Sequence, residues 1–271
     1  MAGLLLKLGL YGIIRFLLPI FPDASIFYIP FIYTISIFSI FYISLIVFTQ
    51  LDFKKIIAYS SIVHMNFVLI GIFSGNISAV QGSMFLMLSH GFISSGMFIL
   101  VGFLYIRFST RLVFYYHGLM NYYPFFSLFF FLFVLGNLGL PGTGGFIGEF
   151  LIILGIFTKN IFVGMLSLAS PFFCAIYSLI LYVRIFHGIS FNTNDFSIFF
   201  KSFRYVNVLK NLPYSSTHGS LNFKLETLSI EYYILLLFSF YNIYMGIFPK
   251  IYLNSLNYIS YFIYTVLHSN I

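Results

Sequence analysis

Long apolar stretches separated by short polar breaks run along the chain, at roughly 2–20, 25–48, 54–74, 78–106, 123–157, 160–186 and 228–249. A helix of about 20 apolar residues crosses the roughly 30 Å hydrocarbon layer of a membrane. The pattern therefore predicts an all-α, polytopic transmembrane helix bundle with seven spans. Phe21-Pro22-Asp23-Ala24 ends the first stretch, and Gln50-Leu51-Asp52 precedes the third, with Asp52 at a helix N-cap position. Gly75-Asn76 and Thr158-Lys159-Asn160 read as tight turns. The fifth stretch is too long for one simple crossing. It contains Gly136-Asn137-Leu138-Gly139-Leu140-Pro141-Gly142-Thr143-Gly144-Gly145, where proline and clustered glycine break a helix. The segment 187–227 is the one polar region of any size. Phe196, Phe199, Phe200, Phe203 and Val206 recur there at helical spacing, punctuated by Lys201, Arg204 and Lys210, which predicts a short helix lying in the membrane interface. The chain reads as one transmembrane domain over residues 1–271.

Composition gives the same solvent. Of 271 residues, 61% are hydrophobic and 7% charged, against roughly 25% charged in soluble globular chains, which excludes a soluble enzyme. The apolar run at Met1 leads into further spans, so no removable signal is expected. Cys174 is the single cysteine, inside an apolar run, and one cysteine builds neither a disulfide framework nor a zinc site. The 39 Phe and 22 Tyr with no Trp match AT-rich codon usage of the kind found in organellar genomes.

Basic residues give sidedness, because Lys and Arg stay on the side from which a membrane protein is inserted. Lys54, Lys55, Arg107, Arg111, Arg184, Lys201, Arg204, Lys210 and Lys224 follow the second, fourth and sixth spans, whereas the alternate loops offer only Lys159. The amino terminus is then inside and the carboxyl terminus outside. The net charge of +7 is accounted for without nucleic acid.

An ionisable group within a span costs at least roughly 2.5–3.5 kcal/mol on insertion scales, so each one calls for a reason. Four positions qualify: Lys7, His64, His90 and Glu149. Lys7 lies about 9 Å of helix from Met1. It can either snorkel to the inner interface or load and release a proton from a buried position. His64 and His90 fall near mid-span beside Ser60, Ser61 and Ser89, which can hold water, and imidazole changes charge near neutral pH. Each also fits a satisfied core histidine, but two at similar depth favour a relay. Glu149 follows the broken fifth span. Breaks of that kind leave unpaired backbone that is tolerated only beside protein or a watery cavity, and transporters place ion sites at them. Arg15 can snorkel outward, and His117, His187, His218 and His268 sit in loops or tail without metal-ligand spacing. No phosphate loop, CxxC pair or Ser-His-Asp constellation is readable.

These motifs resemble a known family, the antiporter-like proton-pumping membrane subunits of respiratory complex I, NADH:ubiquinone oxidoreductase. The resemblance rests on Ala2-Gly3-Leu4-Leu5-Leu6-Lys7-Leu8-Gly9 with Tyr11-Gly12, and on Asp52-Phe53-Lys54-Lys55-Ile56-Ile57-Ala58-Tyr59-Ser60-Ser61 leading to His64-Met65. Ser89-His90-Gly91, Leu140-Pro141-Gly142-Thr143-Gly144 and Gly148-Glu149-Phe150 complete it. It runs from residue 2 to about 255 and is weakest over 190–227. Complete members have fourteen spans, and this chain resembles their last seven, without the first repeat and its own glutamate and lysine. Glu149 points to one branch, since sister subunits carry lysine there.

The resemblance implies a proton relay through Lys7, His64, His90 and Glu149, driven by quinone reduction elsewhere in the complex. It implies a mitochondrial inner-membrane location, with the amino terminus on the matrix side and the carboxyl terminus on the intermembrane side. It implies no cofactor on this chain, with NADH, FMN, iron–sulfur clusters and ubiquinone in other subunits. The partners it implies are other membrane-arm subunits, including neighbouring antiporter-like subunits and a separate chain supplying the amino-terminal half, together with membrane lipids and no nucleic acid. Two alternatives stay open at this level: a subunit of an Mrp-type cation/proton antiporter, and a structural membrane-arm remnant without transport. The four intact ionisable positions count against the remnant, because a scaffold gains by replacing them with apolar residues.

Overall fold

The computed structural model describes residues 3–121, 123–188 and 229–268. The expected interfacial helix within 187–227, with Lys201, Arg204, Lys210 and Lys224, lies outside the described residues apart from His187 and Gly188. Among the described residues the architecture is helical with no strand, and one isolated bridge joins Asp52 to Leu112.

The first stretch is helix α1 (Leu5–Gly12), a π turn (Ile13–Leu17) and α2 (Leu18–Ile20) in one run. Pro19 has no N–H for the Arg15 carbonyl, which fits a widened turn at that point. Helix α3 (Pro22–Phe27) leads into α4 (Ile29–Thr49), followed by α5 (Phe53–Phe73) and α6 (Ile77–Phe108). With 32 residues, α6 is about 48 Å long and outreaches the hydrocarbon layer. At its carboxyl-terminal end Arg107 Nη2 meets Glu231 Oε2 at 2.6 Å.

The fifth stretch is broken. Helix α7 (Pro124–Asn137) stops, and α8 (Gly144–Phe157) starts after Gly139 at φ +66° and Gly142 at φ +98°, both left-handed conformations that favour glycine. Each half has 14 residues, about 21 Å, so neither crosses alone. The sixth stretch is α9 (Ile161–Ser167) and α10 (Ala169–Phe186), parted at Leu168 where Pro171 cannot bond the Ser167 carbonyl. Helix α11 (Ser229–Ile247) completes the seventh. Beyond it lies α12 (Pro249–His268), which the apolar pattern did not mark and which is bent 74° from α11. Lys250, Asn254, Ser255, Asn257 and Ser260 dilute its hydropathy. Two of these side chains are used inside the fold: Gln81 Nε2 donates to Asn257 Oδ1 at 2.5 Å and to Ser260 Oγ at 3.2 Å.

Two local expectations need adjustment. Asp52 occupies the N-cap position of α5 but makes no capping hydrogen bond, because its carboxylate pairs with Lys55 Nζ at 3.0 Å. Asn76 does cap α6, accepting from Ser78 N at 3.2 Å, and its amide reaches Thr158 Oγ1 at 2.5 Å. The two turns read from sequence are thereby tied to each other.

Packing of α6 against α8 depends on small residues. A Cβ on Gly82 would lie 2.7 Å from the Leu151 Cβ, one on Gly148 2.7 Å from the Leu86 Cβ, and one on Gly155 2.5 Å from the Ala79 Cβ. Glycine at these three places lets the backbones approach, the usual device where lipid supplies no hydrophobic drive between helices. The buried apolar side chains fall into two cores. One gathers Phe53, Ile57, Ile93, Phe130, Phe133 and Phe186, and the other Leu18, Ile40, Val63, Phe67, Leu86 and Ile152.

Candidate functional site

The two cores meet in a polar layer. Along α5 the first core ends at Ile57 and the second begins at Val63, and along α6 the second ends at Leu86 and the first begins at Ile93. His64 and His90 stand at these changes, both buried. Their rings pack at 4.8 Å between centroids with planes 52° apart. His64 Nδ1 faces Glu149 Oε1 at 3.5 Å, in contact but without a closed hydrogen bond. Three ionisable groups read separately from sequence thus form one cluster, contributed by α5, α6 and α8.

The helix break holds Glu149 in place. Its Oε2 lies against the Cα of Gly139, so close that a Cβ there would sit 2.5 Å from it. Gly145 packs on the Gly136 carbonyl, and Gly144 N donates to Asn242 Oδ1 at 3.3 Å. The break thus folds back on the first turn of α8, and Asn242 of α11 satisfies one of that turn's unpaired N–H groups.

Lys7 on α1 is half-buried, and its Nζ donates to Ser94 Oγ at 3.3 Å. Ser94 is four residues after His90 on α6 and so shares its face. Lys7 therefore stands at the edge of the cluster, one helical turn from His90.

The remaining partners were not singled out from sequence. His64 Nε2 contacts Cys174 Sγ at 3.2 Å. The thiol donates to the Asn137 carbonyl at 3.1 Å, and the Asn137 amide donates back to the sulfur at 3.4 Å. Tyr177, one turn further along α10, is buried beside Cys174. His90 interacts with the Ser61 backbone, while its Nε2 is buried and makes no hydrogen bond. Asn137 and Gly139 lie within the glycine-proline break and could have been found there. Ser94 could have been found from its helical register with His90. Cys174 carried no signal, being a small side chain in an apolar run.

The three serines expected to hold water keep their acceptor oxygens available for it. Ser60, Ser61 and Ser89 donate to the carbonyls of Ile57, Ala58 and Leu86, each three residues back, at 2.9, 2.7 and 3.2 Å. Their protons are committed to their own helices, and what they offer the cluster is acceptor lone pairs.

Among the described residues, a helical bundle with His64, His90 and Glu149 in contact beside a broken helix, and Lys7 on Ser94 one turn from His90, has the form of membrane proteins that bury ionisable side chains at helix breaks. Residues 1–174 match the family described as NADH:quinone oxidoreductase/Mrp antiporter, TM, and the chain belongs to that family. Among curated relatives, NADH-ubiquinone oxidoreductase chain 4 of Marchantia polymorpha is 50% identical over 214 residues, 79% of this chain and 43% of the relative. Chain 4 of Chondrus crispus is 43% identical over 260 residues, 96% of this chain and 48% of the relative. A chain of respiratory complex I from Thermus thermophilus with bound NADH superposes with a TM-score of 0.78 at 25% identity, covering 96% of this chain and 49% of that one. The chain spans about half the length of the curated relatives it matches.

Proposed function

We propose that this chain is a proton-translocating membrane subunit of a respiratory NADH:ubiquinone oxidoreductase. The carrying observation is the contact of His64, His90 and Glu149 in one buried layer, with Lys7 reaching Ser94 one turn away. A proton moves between Lys7 and the histidines and from His64 to Glu149, and reorientation of the carboxyl at the helix break passes it toward the outer side. Gaps wider than a hydrogen bond, such as the 3.5 Å between His64 and Glu149, are closed by small side-chain motion or by water. The driving force comes from quinone chemistry in other subunits, which hold NADH, FMN, the iron–sulfur clusters and ubiquinone.

The chain lies in the mitochondrial inner membrane with its amino terminus on the matrix side. Its basic loops carry that assignment. Helices α11 and α12 act as one broken crossing, leaving the carboxyl terminus on the intermembrane side. In support, α12 packs on α2 and α3, where the first crossing ends. Neighbouring antiporter-like subunits and a separate chain supplying the amino-terminal half are the partners. The second fits the exposed Leu4, Leu5, Leu8 and Tyr11 that surround Lys7.

Glu149→Gln removes the titrating group while keeping its shape and tests the reading. The assembled complex is expected to lose most of its proton pumping, and with it the coupled NADH oxidation. Undiminished pumping by fully assembled Glu149→Gln complex refutes the relay.

A further inference from the structure

The relay needs His64 to present a basic nitrogen to Glu149, and a neutral imidazole has only one. Which nitrogen that is depends on what holds the other. We infer that the Cys174 thiol is a positioning group that fixes the His64 tautomer, keeping the ring proton on Nε2 and leaving Nδ1 as the nitrogen that exchanges protons with Glu149.

The inference follows from the bonds around one sulfur. A thiol has a single proton, and Cys174 gives it to the Asn137 carbonyl at 3.1 Å. At its other contacts the sulfur can only accept: from the Asn137 amide at 3.4 Å, from His64 Nε2 at 3.2 Å and from the Tyr177 hydroxyl beside it. Nε2 therefore carries the proton. The lone pair is left on Nδ1, which has no hydrogen bond of its own and faces Glu149 Oε1 at 3.5 Å. The exchange is then a single transfer: the N–H bond at Nδ1 breaks as the O–H bond on Glu149 forms, or the reverse, while Nε2–H is untouched. If the thiol gave its proton to Nε2 instead, Nδ1 would hold a proton permanently and could only donate to the carboxylate. Asn137 is the last residue of α7, so the network also ties the tautomer to the helix break that holds Glu149. Sequence gave this cysteine no role, yet its side chain is fully buried among polar partners.

The inference rests on the proton-relay reading, and the tests separate the two. In the assembled complex, Cys174→Ser keeps a donor and an acceptor at this place, whereas Cys174→Val keeps an apolar side chain, one methyl group bulkier, and removes both. Serine is expected to pump close to the unmodified rate. Valine is expected to pump about tenfold less, the lower end of the loss when a partner that orients an active histidine is removed, and its pumping–pH profile is expected to move. Valine pumping normally while Glu149→Gln does not would overturn the positioning role and leave the relay standing, whereas normal pumping by both would overturn the relay itself. Serine as poor as valine, or poorer, would also overturn the positioning role, since a hydroxyl keeps both bonds. An infrared measurement decides the case should valine fail to assemble. Cys174 is the only cysteine of this chain, so its S–H stretch is the band lost in Cys174→Ser. A stretch lowered from the free-thiol frequency is expected, and a band at the free-thiol frequency would refute the bond to Asn137.

Discussion

Gly139 and Gly142 both stand at positive φ in the break between α7 and α8, at +66° and +98°. Alanine at either place carries the left-handed backbone cost, about 1–2 kcal/mol. The added methyl group separates them. At Gly142 it meets nothing within 4 Å, while at Gly139 it lies 2.5 Å from Glu149 Oε2. An ordinary contact begins at 3.4 Å, so the carboxylate must retreat by about 1 Å, a displacement that can cost a reaction about a hundredfold when reacting groups lose alignment. His64 Nδ1 is already 3.5 Å from Oε1, and any retreat away from it leaves the transfer to a water bridge.

The expected result is a dissociation of stability from transport. Both variants should lower the thermal midpoint of the assembled complex by similar amounts. Only Gly139→Ala should pump protons substantially more slowly, by tenfold or more if the alignment estimate of about a hundredfold holds even in part. Pumping is read in sealed membranes as acidification per NADH oxidised, normalised to assembled complex. Equal pumping by the two variants at equal assembly would refute the argument that the break exists to hold the carboxylate.

Three further outcomes follow from the site. Lys7→Met should lower pumping about tenfold or more, since a positioned proton-transfer group contributes about 10²–10⁴-fold. Ser94→Ala should lower it less, because one hydrogen bond contributes about 0.5–1.5 kcal/mol; the reverse ranking would remove Lys7 from the relay. Protease applied from the matrix face of inner membranes should cut near Lys201–Lys210, whereas cleavage only from the intermembrane side would invert the topology. Purified complex should contain a separate chain docked at the Lys7 face with a buried glutamate and lysine of its own; a structure showing lipid there would refute it.

Apolar length and its interruptions are visible in any sequence, and they located the helices through α11. They failed at α12, where Lys250, Asn254 and Ser255 are exposed but Asn257 and Ser260 face α6 and are taken up by Gln81 inside the bundle. A hydropathy window counts such residues as exposed. The four ionisable positions were legible because each is expensive in a span. Their grouping was not legible, since it depends on how closely α6 and α8 approach, and that distance is set by Gly82, Gly148 and Gly155 acting together. Cys174 was invisible for the same reason. A thiol looks apolar in a list of residues and becomes a hydrogen-bonding group only when Asn137 and His64 are brought to it.

The placement of the polar layer between two apolar cores has a physical consequence. A buried charge is strongly felt by its neighbours where water is excluded, and weakly felt where water screens it. Phe130, Phe133 and Phe186 belong to the core on one side of the layer and Phe67, Leu86 and Ile152 to the core on the other. Lys7 lies at one edge of that layer and Glu149 within it, joined by His90 and His64. On the proposed relay, a charge arriving at Lys7 would act on the imidazoles across this layer. Opening the layer to water should weaken that coupling without removing any ionisable group. A second consequence concerns the break. Asn137 bonds the thiol, Gly139 backs the carboxylate, and Asn242 caps the following helix at Gly144, so three adjacent parts of the α7–α8 break each fix a different component of one site. A continuous helix over 124–157 would satisfy more backbone hydrogen bonds but would supply none of these three contacts. The irregular backbone is stabilised by the polar layer that it organises.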